Sequence, residues 1–314
     1  DIETLGVTGT ALADAIENCL RAAAGGAAEN VPKSGVQLAD GRLFQSIMAV
    51  GHGASAPPYG ATKVVGLAPD NAANGLPHIG SVIVLLDAET GLPCGIMDGS
   101  WITEMRTAAL SLVAARRFAP KDAQSIGFIA CGAQALAHLA VLGEEFPLTS
   151  VTAFGRRRQT AEAFAAHARS RGIDAVATGE PMDAVADKDI VVTSVPDGSE
   201  PLAFLQPGWL RAGAFASLVD LGRSWCDQGF ETVEHRIVDD HRQAGKNGTA
   251  RRLTPGGPYS MDLGELVTQD RPVRRSDRER AVFVFQGLAL ADLAAAALVF
   301  EKAVSVEAGT LLPR

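Results

Sequence analysis

Ser125-Ile-Gly-Phe-Ile-Ala-Cys-Gly-Ala-Gln-Ala135 is the stretch that decides the fold. A short apolar run, a turn of small residues and a helix start follow one another within it. Such a turn is where a dinucleotide pyrophosphate rests. Backbone N–H groups and the positive helix end face the phosphates, and a missing side chain lets the backbone come close. The fingerprint wanted is GxGxxG or GxGxxA. Here it reads Ala130-x-Gly132-x-x-Ala135, with alanine in place of the first glycine. The motif alone is weak, and the flanking strand and helix strengthen it. The competing reading is an ordinary strand–helix turn.

Downstream, strands and helices alternate. Strands are expected at Ser125–Ala130, Ser150–Phe154, Ala175–Ala177, Ile190–Ser194, Phe215–Val219 and Arg236–Val238. Helices are expected at Ala133–Gly143, Thr160–Ser170 and Pro181–Ala186. This alternation implies an α/β fold with a doubly wound parallel sheet. Upstream, Leu12, Ile16, Cys19 and Leu20 fall at helical spacing in Thr10–Ala24, and Gly25-Gly26 ends that helix. Val31–Val50 alternates loosely, and Ala61–Leu67, Ser81–Leu86 and Cys94–Met97 read as strands. Thr103–Ala119 reads as a helix capped by Thr103, and Ala281–Val304 as a last helix carrying an Ala-rich run.

The 314 residues suggest two domains, and 47% hydrophobic with 20% charged residues exclude disorder and a small disulfide scaffold. A net charge of -8 argues against a nucleic-acid partner. The four cysteines form no CxxC unit and the six histidines no HExxH, so no metal site is expected. No apolar run reaches the roughly 18 residues of a membrane span. The chain begins at Asp1 without a signal-like block. The expectation is a cytoplasmic protein without a membrane partner.

The end of the second strand selects the nicotinamide cofactor. An acid there, about 20 residues beyond the glycines, would bond the ribose of NAD. The sequence holds Phe154-Gly155-Arg156-Arg157-Arg158 instead. Arginine suits a 2′-phosphate by charge and by its forked donors, so NADP(H) is favoured over NAD(H). The competing reading is a solvated basic turn, which the helix dipole opposes.

The run Asp98-Gly-Ser-Trp-Ile-Thr-Glu-Met-Arg-Thr-Ala-Ala109, followed by Gly132-Ala-Gln-Ala135, resembles the ornithine cyclodeaminase/mu-crystallin family. The resemblance extends through Ala61-Thr-Lys-Val-Val65, Asn74-Gly-Leu-Pro77 and Leu86-Asp-Ala-Glu-Thr-Gly-Leu-Pro93. It continues through Val238-Asp-Asp240, Asp262-Leu-Gly-Glu265 and Val282-Phe-Val-Phe-Gln-Gly-Leu-Ala289. It implies a homodimer of two-domain chains. Residues 117–271 would form the Rossmann-type dinucleotide-binding domain. Residues 1–116 and 272–314 would form an α+β substrate and dimerisation domain. Family members move a hydride between a nicotinamide and the α-carbon of an amino or imino acid.

Carried over by position, Arg106 matches the arginine that holds the substrate carboxylate, and Lys63 matches the lysine beside the reacting centre. Lys63 would bind the carboxylate or protonate the imine nitrogen. Lys33 stands where many members have another arginine, keeping the charge and losing the fork. Met48 falls in the family's Met-Pro-Ala segment, read here as Met48-Ala-Val, and Gln286 joins the substrate set. The competing readings are surface lysines and, for Arg106, a helix-surface ion pair. The residues expected around the cofactor are Thr107, Ala130, Cys131, Gly132, Ala133, Gln134, Gly155, Arg156, Arg157, Ser194, Val195, Val219, Asp220 and Arg223.

Ser217-Leu-Val-Asp-Leu-Gly-Arg223 departs from the cyclodeaminases. Their ring-closing aspartate aligns with Gly222, whereas Arg223 matches mu-crystallin-type members. Asp220 lies two residues away, as a catalytic acid or a loop brace. The expected function is an NAD(P)H-dependent imino-acid (ketimine) reductase, or an amino-acid dehydrogenase in reverse, acting on a C=N bond beside a carboxylate. A cyclodeaminase with recycled cofactor and a non-catalytic NADP-dependent binding protein are the alternatives.

Overall fold

The computed structural model describes residues 2–196, 203–244, 259–269 and 272–311. The chain divides into two units, Asp1–Arg106 with Leu288–Arg314, and Thr107–Gly287.

The first unit is an antiparallel sheet with helices on one face. Its strands are β1 (Ala28–Asn30), β2 (Ser34–Gln37), β3 (Leu43–Gly51), β4 (Tyr59–Leu67), β5 (Ile79–Asp87) and β6 (Pro93–Asp98). Their order is β1-β3-β4-β5-β6, with β2 paired to β3. The register sets Ile47 opposite Lys63, and Lys63 opposite Ile83. Side chains alternate across a strand. One face therefore carries buried Ile47, Ala49, Ala61, Lys63, Ile83 and Leu85. Helix α1 (Gly9–Ala24) and the C-terminal helix (Ala289–Ser305) pack on this side. Leu12, Ile16 and Leu20 of α1 are buried, each worth about 1.5–3 kcal/mol of transfer free energy. The opposite face exposes Phe44, Met48, Val64, Val82 and Ile96.

Helix α2 spans Gly99–Phe118. It starts four residues before the expected Thr103, because the Asp98 carboxylate accepts a 2.8 Å hydrogen bond from Ser100 N. Thr103 is thereby released from capping. The division between the units falls within this helix, at Arg106/Thr107 rather than at 116/117.

The second unit begins with β7 (Ser125–Ile129), α3 (Ala133–Glu145), β8 (Ser150–Phe154), α4 (Arg158–Ser170) and β9 (Asp174–Thr178). It continues with β10 (Ile190–Thr193), β11 (Phe215–Leu218), β12 (His235–Val238), α5 (His241–Ala244), β13 (Met261–Asp262), α6 (Leu263–Val267) and β14 (Ala281–Val284). The strand order is β13-β12-β14-β11-β10-β7-β8-β9, and every pair is parallel. This is the doubly wound α/β sheet, with its order reversing between β7 and β10. Ligands of such sheets bind where the order reverses, at the strands' C-terminal ends. Ala130 and Ser194 stand at those ends.

The expected single helix Ala281–Val304 is two elements. Residues 281–284 form a central strand between β11 and β12, and the helix begins at Ala289. A strand covered on both sides is apolar throughout, like a buried helix, and periodicity does not separate the two. This strand also puts the second division at Gly287/Leu288 rather than at 271/272.

A buried polar network ties α2, α3 and β11 together. Ser111 Oγ lies 2.9 Å from His138 Nε2 and 2.7 Å from Ser217 Oγ, while His138 Nδ1 lies 2.7 Å from Gln134 O.

Candidate active site

In the first unit three charged side chains meet away from water. Lys63 on β4 is 1% exposed, Arg106 on α2 is 4% exposed, and Asp292 on the C-terminal helix is 2% exposed. Lys63 Nζ donates to Asp292 Oδ1 at 2.6 Å and to Thr103 Oγ1 at 3.2 Å. Arg106 Nε lies 2.9 Å from the same Oδ1. Burial, and then the Arg106 charge, press the Lys63 pKa down to about 8, against the opposite pull of Asp292. Burial alone would raise the Asp292 carboxyl, but Arg106 and Lys63 outweigh it and hold it below its ordinary value. The Lys33 charge registers at both groups. Lys33, Lys63 and Arg106 therefore form one cationic site with an acid built into it.

Sequence reasoning missed Asp292 and the hydroxyl of Thr103. A signal for Asp292 was present: it is the only charged residue between Gln286 and Phe300. Met48 does not join the site. It pairs with Thr62, one residue before Lys63, so strand alternation turns it to the opposite face, where it is 40% exposed.

In the second unit the β7 turn closes with Ala130 at φ 70, the left-handed conformation that the fingerprint's first glycine serves. Gly132 caps α3 without a side-chain hydrogen bond, leaving the first-turn N–H groups for a ligand. Among the described residues nothing lies within 4 Å of where a Cβ on Gly132 would project. Gln134 Oε1 is buried and accepts no hydrogen bond among the described residues. A cavity of about 350 Å³ opens beside this turn. Ala130, Cys131, Gly132, Gly155, Arg156, Arg157 and Val195 line it, with Phe154, Thr160, Pro196 and Phe204, which sequence reasoning did not assign. Arg157 caps α4 with no side-chain bond and no acid in the first turn. Burial pushes the Cys131 thiol up to about 12, so no thiolate faces the cavity. Uncapped helix ends, basic side chains and apolar walls together fit a dinucleotide.

The other assigned residues stand apart from the cavity wall. Ser194 N and Val219 N donate to Ile129 O (3.0 Å) and Thr193 O (2.9 Å), as parts of the sheet. Thr107 accepts Ser111 Oγ on its carbonyl at 3.3 Å. Ala133 opens α3. Gln286 is buried, and its amide in the satisfied orientation bonds Gln243 O at 3.2 Å and Ala244 N at 3.1 Å. Asp220 is buried, with both oxygens committed. Oδ1 accepts from Thr193 Oγ1 (3.0 Å) and Gly222 N (3.1 Å), and Oδ2 from Ser224 Oγ (2.6 Å) and Val195 N (3.4 Å). Arg223 donates to Val195 O at 3.0 Å. These bonds brace the turn after β11, and with the Arg223 bond they fix Val195 at the cavity wall.

His241, Asp262 and Glu265 offer ligand atoms within 4.8 Å of one another. Asp262 and Glu265 are already engaged in the reciprocal capping bonds of α6.

The sequence profile of the ornithine cyclodeaminase/mu-crystallin family matches residues 1–307. The chain belongs to this family. An alanine dehydrogenase of Archaeoglobus fulgidus is 29% identical over 305 residues, covering 95% of this chain and 91% of that protein. The ketimine reductase mu-crystallin of Rattus norvegicus is 28% identical over 242 residues, covering 76% and 75%. Among solved structures, an archaeal alanine dehydrogenase dimer with bound NAD has a TM-score of 0.89 at 26% identity, covering 99% of this chain and 96% of that one. The doubly wound parallel sheet and the antiparallel sheet described above are shared with that solved structure. No described helix is long and apolar enough to cross a membrane.

Proposed function

We propose that the protein is an NADP(H)-dependent imino-acid reductase, running in reverse as an amino-acid dehydrogenase. The observation that carries this reading is the buried Lys63 beside Arg106, its pKa drawn down to about 8. A fixed guanidinium orients a carboxylate by charge-assisted bonds. A lysine titrating near neutrality gives up a proton readily, as a general acid must. Arg106, assisted by Lys33, holds the carboxylate of the imino acid, and Lys63 supplies the proton to its nitrogen. The bound nicotinamide nucleotide supplies the hydride, or accepts it in reverse. Gly132 and the first turn of α3 receive the pyrophosphate, and Arg156 and Arg157 receive the 2′-phosphate. The four hydrogen bonds that engage Asp220, the nearest candidate for a cyclodeaminase acid, support simple reduction.

Oxidation of NADPH and NADH, followed separately, tests the proposal. The panel holds five- and six-membered cyclic imine 2-carboxylates, and pyruvate, glyoxylate or oxaloacetate with ammonia or methylamine. We expect turnover of at least one imine with NADPH preferred. Ammonia release from ornithine with no net cofactor change would overturn the reading. We also propose a homodimer, supported by the exposed apolar face of Phe44, Met48, Val64, Val82 and Ile96. Light scattering on the purified protein reads its mass directly.

A further inference from the structure

We propose that Asp292 is a positioning residue for proton delivery: it ties Lys63 to the carboxylate-binding arginine and leaves one N–H of the ammonium to give to the substrate nitrogen. This rests on the reductase reading above. An ammonium has three N–H bonds. Asp292 Oδ1 takes one and Thr103 Oγ1 a second. No described residue accepts the third. The direction of the donating bond is therefore set by the two that are occupied.

Asp292 lies in the first turn of the C-terminal helix, whose dipole favours an acid there. Among the described residues its Oδ1 pairs with Lys63 and Arg106, and its Oδ2, although buried, accepts no hydrogen bond. The residue sits in an otherwise apolar helical stretch, where an unpaired carboxylate is costly to desolvate. Among the described residues it accepts no backbone N–H, unlike Asp220. The charged groups facing Lys63 are Arg106 from α2, Asp292 from the C-terminal helix and Lys33 from the segment before β2. Of these, Asp292 alone favours the ammonium form, so without it Lys63 would lose its proton at lower pH.

In the reduction the imine carbon gains the hydride from the nicotinamide nucleotide. The C=N π pair moves to nitrogen, which takes a proton from Lys63 Nζ. Lys63 is left as a neutral amine and is reprotonated from water. Asp292 touches neither hydride nor carbon; it keeps the proton donor charged and aimed.

The test combines Asp292→Asn with two readouts on the full chain. The first is titration of the Lys63 side chain by NMR of 13C,15N-lysine, with the resonance assigned from Lys63→Arg. The second is the pH profile of imine reduction. We expect the Lys63 midpoint and the high-pH loss of kcat to move down together, by about one pH unit or more. At neutral pH kcat should fall about tenfold or more while KM changes little, and activity should partly return at lower pH. An unmoved Lys63 midpoint overturns the proposal, whatever the activity. A moved midpoint in a protein that reduces no imine upholds the tether and refutes the reductase reading. Should Asp292→Asn fail to fold, Asp292→Glu retains the charge and displaces it by one methylene. A loss of kcat at unchanged KM then supports the proposal, and unaltered kcat overturns it.

Discussion

Ser224 donates a 2.6 Å hydrogen bond to Oδ2 of Asp220, four residues before it, and so closes the turn after β11 on itself. With three further donors on the same carboxylate, removal of Asp220 leaves several buried polar groups unpaired. Burial raises the Asp220 pKa against those bonds. Asp220→Ala should destabilise the protein by about 2–4 kcal/mol, read as a lower midpoint in chemical denaturation. If it leaves the midpoint alone and abolishes turnover, Asp220 acts in the chemistry instead.

The basic turn after β8 makes a separate claim. Charge-assisted hydrogen bonds are worth about 1.5–3 kcal/mol each. Arg156→Ala combined with Arg157→Ala should weaken NADPH binding by about tenfold or more. NADH binding should change little. Fluorescence titration of both nucleotides checks this, and equal losses for the two would refute the role of the arginines.

His138 gives the fold a pH dependence. Burial lowers its pKa from 6.5 to about 4, while its bond to Gln134 opposes the fall. The unfolded chain therefore binds a proton between these values that the folded chain refuses. Stability should fall as pH drops from 6.5 towards 4, by about 3 kcal/mol for the full shift of this group. Urea midpoints at pH 7 and pH 5 measure it, and His138→Gln should reduce the difference.

Two small residues near the nucleotide turn should respond in opposite ways. Ala130 holds φ 70, where an L side chain is strained by roughly 1–2 kcal/mol. Ala130→Gly should stabilise the chain modestly, by about 0.5–1 kcal/mol after the entropy of glycine is counted. Gly127 lies within β7, and a Cβ there would run into Ala184 O. Gly127→Ala should cost about 1–3 kcal/mol by overpacking. Thermal melts of both variants decide the matter.

The nucleotide-binding half was largely legible, because a strand, a tight turn and a helix leave local marks. Ser125–Ile129 and Ala133–Glu145 fall close to the expected bounds. The cationic site was legible only through resemblance. Lys63, Arg106 and Asp292 meet across separations such as the 229 residues from Lys63 to Asp292, which no local pattern reports. Asp98 took the cap expected of Thr103, because both residue types cap helices and only geometry decides between them. Met48 was assigned by position in a motif, whereas strand alternation places it on the other face.

Three ions shut away from water weigh on the unit that contains them. Apolar residues of similar volume at Lys63, Arg106 and Asp292 should give a sturdier protein, because buried ion groups are often less stabilising than the hydrocarbon that could replace them. The surrounding apolar face, with Ile47, Ala49, Ala61, Ile83 and Leu85, supports this cluster without needing it. Robustness and reactivity therefore pull against each other at these positions. A screen for heat tolerance alone would erase the proposed chemistry first.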